Sequence, residues 1–271
     1  MDSVKNVRMK HLAKINMTNQ KYELLNQSLK AVSKGTINLL ILKGLAGIGK
    51  TYATLKYVKE NDINHEYINN YATPLAFYKL IYENRNKKVI IFDDVQSIGD
   101  PKIKSMFKSV CGELENGKRM VSYHSTSQIL EREELPESFE CNTNIILIFN
   151  EDISGFEPII NRGVTIDFQF NFKEMLEILE TFQEAAGIEQ EVMDYVKENC
   201  NQATKNLSIR TLVMLSKLHR EEYDFKIFAK EVLKTNESMK DLIELDEKSW
   251  CDKTGQSRRT YYRHRKSARV S

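Results

Sequence analysis

Gly44-Leu45-Ala46-Gly47-Ile48-Gly49-Lys50-Thr51 places three glycines, a lysine and a hydroxyl in the pattern GxxxxGK[ST]. Those residue types at that spacing suit the cradling of phosphate. Glycines let backbone N–H groups turn inward, and a helix beginning near Lys50 adds the positive end of its dipole. Lys50 is long enough to reach the outer phosphates of a nucleoside triphosphate, and the Thr51 hydroxyl can ligate a divalent cation. Tyr52 ends the stretch expected to line the nucleotide. A chance glycine turn would account for the glycines, but not for the lysine, the threonine and the flanking elements in order. Further along, Val89-Ile-Ile-Phe92 runs into Asp93-Asp94. Asp93 is suited to holding Mg²⁺ together with Thr51, and Asp94 to polarising an attacking water.

Such groups need a scaffold that brings distant segments together. Residues 20–33 have helical periodicity through Tyr22, Leu25, Leu29 and Val32, and Gly35 suits a left-handed cap. Ile37–Leu42 is a short apolar run of the kind buried on both faces of a parallel sheet. A helix is expected from about Lys50 to Lys59. The alternation continues with His65–Ile68 (strand), Pro74–Tyr82 (helix), Val89–Phe92 (strand), Pro101 to about Glu115 (helix), Met120–Tyr123 (short strand), Asn144–Phe149 (strand) and Val164–Phe168 (strand). Strands alternating with helices predict an α/β fold, a parallel sheet with helices on both sides.

After Asn171 the strand signal stops. Phe172, Met175, Leu176, Leu179 and Phe182 form a helical stripe, and 190–200, 207–220 and 223–234 also have helical patterns. The expected organisation is an N-terminal helical segment (1–34), an αβα nucleotide-binding core (35–170), an all-α lid (171–236) and a small, basic helical segment (237–271).

The 271 residues are 41% hydrophobic and 29% charged, which suits a globular protein. No apolar run approaches the roughly 18–20 residues of a membrane span. MDSVKNVRMKHLAKIN lacks the apolar centre of a signal peptide, so a cytoplasmic protein is expected. Cys111, Cys141, Cys200 and Cys251 form no CxxC pair and no zinc spacing with histidine, which favours reduced thiols. The net charge of +2 conceals an asymmetry. Residues 253–271 hold seven basic side chains and no acid, which leaves 33 basic against 38 acidic residues elsewhere, a net of −5. A basic tail on an acidic body points to an anionic partner.

With both phosphate-site motifs in place, the chain resembles the AAA+ ATPases over about 37–220. Asn150, at the end of the strand Asn144–Phe149, resembles the sensor-1 residue that positions the attacking water in that family. Arg162, in Ile159-Ile-Asn-Arg-Gly163, resembles an arginine finger. Arg210, in Leu207-Ser-Ile-Arg-Thr-Leu212, resembles the sensor-2 arginine. The family often has Glu at the position of Asp94. Aspartate is one methylene shorter, which puts rapid turnover in doubt but not nucleotide binding. Within the family, Phe92–Val95, Arg119–Tyr123, Leu135–Phe139 and Ile145–Asn150 most resemble small ATPases encoded by bacteriophages and plasmids.

The segment from Ser249 to Lys266 looks like the second half of a helix-turn-helix. Gly255 suits the turn, Ser257 an N-cap, and the following helix carries Arg258, Arg259, Tyr262, Arg263 and Arg265, residue types that contact DNA. A disordered basic tail, or a basic helix packed on the acidic body, remain alternatives.

The resemblance implies an ATPase using ATP and Mg²⁺. An arginine finger serves a neighbour's nucleotide, so it also implies a homo-oligomeric ring, six-membered in many relatives. The expected task is ATP-driven work on DNA, such as translocation, remodelling, or loading of a replication or recombination partner. Two rivals stay open: a slow ATP-dependent assembly switch on DNA, and a protein-remodelling ATPase whose basic tail is incidental.

Overall fold

The computed structural model describes residues 20–69, 73–94, 100–112, 119–124, 128–150, 156–234, 241–242 and 245–270, without the side chains of 157 and 266–270. Residues 1–19, Val95 and Glu115 lie outside the described residues.

The chain divides into two units. The first holds Gln20–Leu45 and Gly49–Phe168. Its elements are α1 (Gln20–Lys34), β1 (Leu39–Gly44), α2 (Lys50–Glu60), β2 (His65–Ile68), α3 (Pro74–Asn84), β3 (Val89–Asp93), α4 (Pro101–Val110), β4 (Met120–Ser122), α5 (Ile129–Arg132), β5 (Ser138–Glu140), β6 (Asn144–Phe149), α6 (Glu157–Ile160) and β7 (Val164–Phe168). Five strands form one sheet in the order β2-β3-β6-β1-β7, and every neighbouring pair is parallel. The expected α/β class holds.

Local chemistry sets the element ends. Thr73 caps α3 by accepting from the Ala76 N–H at 3.3 Å, and Asp100 caps α4 by accepting from Lys102 at 2.7 Å. Each is followed by proline in the first turn, where its missing N–H costs nothing. β1 begins at Leu39 rather than at Ile37. Gly35 is left-handed (φ 77°) and the Thr36 N–H returns to Ala31 O at 2.9 Å, so the next residues are spent leaving the helix.

The central strands are apolar because both their faces are covered. Every residue of β6 is buried, as are the first four of β1 and of β3. Phe77, Phe92 and Phe107 join α3, β3 and α4, with ring centroids 4.8–5.6 Å apart. Burial of each ring contributes about 1.5–3 kcal/mol. One polar exception is Asn144, which opens β6. Its amide donates to Val32 O at 3.0 Å and Lys88 O at 3.3 Å, and its oxygen accepts from the buried Arg119 at 3.4 Å. That guanidinium also bonds Val110 O at 3.1 Å. Buried Cys111 and Cys141 are both free; burial pushes the Cys111 thiol up to about 12 despite the nearby Arg119 charge.

Met120–Ser122 is a strand as expected, but it is not part of the main sheet. It pairs antiparallel with Ser138–Glu140, a strand that local pattern did not reveal. Three residues with one inward side chain carry too little periodicity to detect.

The second unit takes in Ala46–Ile48 and the chain from Gln169 onward. Its elements are α7 (Phe172–Ala186), α8 (Gln190–Asn199), α9 (Ile209–Arg220), α10 (Phe225–Val232), α11 (Glu247–Thr254) and α12 (Arg258–Val270). α7 opens with a capping box: the Asn171 side chain accepts from the Glu174 N–H at 3.0 Å, and the Asn171 N–H donates to Glu174 at 2.9 Å. Its buried stripe is Met175, Ile178, Leu179 and Phe182. Phe172 and Leu176, expected in that stripe, are only half-buried.

Among the described residues, no helix is long and apolar enough to cross a membrane.

Candidate nucleotide site

A parallel sheet delivers the ends of its strands to one edge, where ligands bind α/β folds. Here β1 ends in Gly44, β3 in Asp93, and β6 leads into Asn150. The register aligns Lys43 with Phe149 and Asp93 with Ile148, so the three strand ends fall within about one rung of one another. Residues separated by up to a hundred positions meet because β6 lies between β1 and β3.

Gly49 precedes α2 with φ 88°, and no side chain caps that helix. The start of a helix after a glycine turn directs N–H groups and the positive end of the dipole toward an anion. Lys50 is only 3% exposed. Its ammonium donates to Gly44 O at 3.0 Å, Leu45 O at 2.8 Å and the Asn150 side-chain oxygen at 3.2 Å. Thr51 donates its hydroxyl to Asp93 Oδ2 at 2.9 Å. The structure thus brings together Lys50, Thr51, Asp93 and Asn150, four residues singled out in sequence.

A fifth member had no sequence signal. Tyr67 of β2 donates its hydroxyl to the same Asp93 Oδ2 at 2.8 Å. Burial, then the hydrogen bond to Asp93, then its charge raise the Tyr67 phenol to about 12, so it stays a proton donor through the physiological range. The pattern His-Glu-Tyr-Ile is that of an ordinary short strand, and nothing local distinguishes its tyrosine.

Asp94 differs from Asp93. It is exposed and left-handed at φ 53°, a region Asp tolerates better than most residues. Its N–H donates to Ile148 O at 2.9 Å, which pins the backbone to β6 while the carboxylate turns outward. Leu45 and Tyr52 are exposed.

Arg162 follows α6 and is exposed. Its guanidinium donates to Pro158 O. Among the described residues, no hydrogen bond joins it to Lys50, Thr51, Asp93 or Asn150. Gly163 beside it has a packing role, since a methyl group there would come within 2.5 Å of Leu39 O.

Arg210 is exposed in the first turn of α9. In its own unit, a methyl group built on Gly47 (φ 77°) would meet Ser208 Oγ at 2.8 Å and Arg210 Cβ at 3.0 Å. Position 47 is therefore glycine for both backbone and space. Ser208 caps α9 by accepting from the Thr211 N–H at 3.2 Å.

Mg²⁺ prefers hard oxygen ligands and keeps several waters, with the balance coming from one or two carboxylates and substrate phosphates. Thr51 and Asp93 match that need, and no group of three or more acids, histidines and cysteines forms a separate metal cage among the described residues.

The tail forms two helices around a separate turn. Trp250 of α11 packs on Tyr261 of α12, with ring centroids 5.4 Å apart, beside the buried Leu242. Gly255 is left-handed at φ 68°, and Ser257 accepts from the Thr260 N–H at 3.3 Å, the turn and cap expected there. Arg258, Arg259, Tyr262 and Arg263 are exposed and Arg265 is half-exposed. Arg258 pairs with Glu247 at 2.6 Å, and Arg265 lies 5.3 Å over the Tyr261 ring.

No protein-family profile matches the chain. An uncharacterized 36.7 kDa protein from the nrdC–mobD intergenic region of Enterobacteria phage T4 is 27% identical over 226 residues, covering 73% of this chain and 68% of that protein. Among solved structures, the RuvB Holliday junction branch migration motor of Thermotoga maritima matches with a TM-score of 0.51 at 13% identity, over 90% of this chain and 83% of that one. NtrX of Brucella abortus in complex with ATP matches with a TM-score of 0.50 at 12% identity, over 98% of this chain and 73% of that one. The chain has the AAA+ α/β P-loop fold, and with a phage protein as a relative the resemblance drawn from its motifs holds.

Proposed function

We propose that this chain binds ATP with Mg²⁺ and hydrolyses it, as an oligomeric AAA+ ATPase acting on DNA. The observation that carries the reading is the cluster of Lys50, Thr51, Asp93 and Asn150 at adjoining strand ends. Buried Lys50 exchanges its loop carbonyls for the outer phosphates, a stronger charge-assisted contact. Thr51 and Asp93 hold the cation, which neutralises charge building on the phosphates. Asn150 and Asp94 orient and polarise the attacking water. Arg210 contacts phosphate, in keeping with its family counterpart. Arg162, exposed and unconnected to this cluster, serves the nucleotide of a neighbouring subunit, which requires a ring or spiral.

The DNA role is supported by the two-helix tail, whose second helix presents exposed arginines, and by the likeness to the RuvB branch migration motor, which works on Holliday junctions. The proposed division into core, lid and tail follows the boundaries expected from sequence. A second reading, a slow assembly switch, is favoured by one observation: Asp94 is the shorter acid and faces solvent. Steady-state turnover of Mg·ATP, with and without DNA, distinguishes the two. The motor reading expects turnover stimulated by DNA and abolished in Lys50→Ala. Turnover that is slow and indifferent to DNA favours the switch. Turnover unchanged in a folded Lys50→Ala protein rejects the site.

A further inference from the structure

We propose that Tyr67 is a positioning residue for the cation site: its hydroxyl holds the Asp93 carboxylate in the orientation that receives Mg²⁺. This rests on the nucleotide-site reading above.

The sheet register explains why a tyrosine stands there. Tyr67 of β2 lies opposite Ile91 of β3, and Asp93 is two residues beyond Ile91. Side chains two apart on a strand share a face, so Asp93 is the diagonal neighbour of Tyr67. Such diagonal pairs are separated by about 7–8 Å, a span that aromatic and long side chains cross and short hydroxyls do not. The phenol crosses it and makes a 2.8 Å hydrogen bond.

The carboxylate is held from two directions. Thr51, at the start of α2, and Tyr67, on the edge strand, both donate to Oδ2, at 2.9 and 2.8 Å. Two donors occupy both lone pairs of that oxygen. Among the described residues no hydrogen bond falls on Oδ1, which is then the oxygen that accepts from cation-bound water. When the Thr51 oxygen turns a lone pair to the cation, its hydrogen can still donate to Oδ2. Loss of the phenol would leave one donor to fix the carboxylate about its terminal torsion, which is intrinsically broad. Outer partners of this kind govern metal affinity without touching the metal.

The test is the Mg²⁺ dependence of nucleotide binding, measured with a fluorescent ATP analogue in EDTA and across a Mg²⁺ series. Tyr67→Phe removes one oxygen and keeps the ring. Its expected behaviour is unchanged affinity in EDTA, and a Mg²⁺ midpoint raised about tenfold. In an Asp93→Ala background, Tyr67→Phe should add no further shift. Three results would overturn the proposal: an unchanged Mg²⁺ midpoint, an equal loss of affinity with and without Mg²⁺, or an undiminished shift in the Asp93→Ala background. Any of these leaves the nucleotide site standing. If the wild-type protein shows no Mg²⁺-dependent nucleotide binding, the nucleotide-site reading falls and this inference falls with it.

Discussion

The nucleotide site and the C-terminal helix pair use charged residues in opposite ways. At the strand ends, Lys50 is buried and Asp93 half-buried, and each polar group is bonded to another that the sheet fixes in place. On α12, Arg258, Arg259 and Arg263 are exposed beside a core of Leu242, Trp250 and Tyr261. The first arrangement is organised before a ligand arrives, so it can favour one geometry of phosphate and cation. The second would act on an anion through long-range attraction, which salt screens. One protein can thus combine a precise site and an adaptable one, and changes in each should have different signatures.

The sharpest break is expected at Arg162, which stands outside the buried cluster. Arg162→Ala should lower ATP hydrolysis by about 10³–10⁵-fold, as loss of an arginine finger does, with nucleotide affinity retained. Mixed assemblies of Arg162→Ala and Lys50→Ala subunits should regain part of the activity. Failure to regain any, in assemblies shown by native mass spectrometry to be mixed, would place the arginine outside a shared site.

Next in size is Asp94→Asn. It should slow hydrolysis by about 10²–10⁴-fold, the usual contribution of general acid–base catalysis, and leave Mg²⁺-dependent binding intact. Single-turnover rates provide the measurement. A rate equal to wild type would transfer water activation to another group and strengthen the switch reading.

Deletion of 249–271 tests the other half of the comparison. It removes the seven basic side chains that follow Asp252 from a body otherwise net acidic. DNA affinity should fall by about 10²-fold or more at low salt, and the salt slope should flatten by about one unit per lost phosphate contact. Basal hydrolysis should persist. Identical affinity and slope in the shortened chain would remove the tail from the DNA contact.

The smallest effect has the opposite sign. Half-buried Glu247 holds exposed Arg258 at 2.6 Å, and hydrogen bonds from Tyr262 and then Arg258 pull its carboxyl below the usual range. Ion pairs at a protein surface contribute little. Glu247→Ala should release Arg258, remove one repelling charge, and tighten DNA binding about two- to fivefold. Weaker binding would show that the pair orders α12 for contact.

Much of this was legible in sequence, because the relevant signals are local. The phosphate loop and its helix are contiguous. β6 and β7 match their apolar runs, and the Gly255 turn and Ser257 cap are encoded by single residues with known backbone preferences. A one-dimensional pattern can also place Asp93 at the end of a buried strand, since a carboxylate cannot continue such a run unpaired.

What the tertiary structure decided is the pairing across strands. Lys50 meets Asn150 a hundred residues away because β6 inserts between β1 and β3, and Tyr67 reaches Asp93 because β2 pairs with β3 in one register. A slip of one residue in that register would send the phenol to the opposite face. The antiparallel pairing of Met120–Ser122 with Ser138–Glu140 is hidden for a related reason: three-residue strands have almost no periodicity of their own, so their partner defines them. Residue types and local spacing therefore determined which groups could do phosphate chemistry. Strand order and register, set by burial of the whole sheet, decided which of them touch.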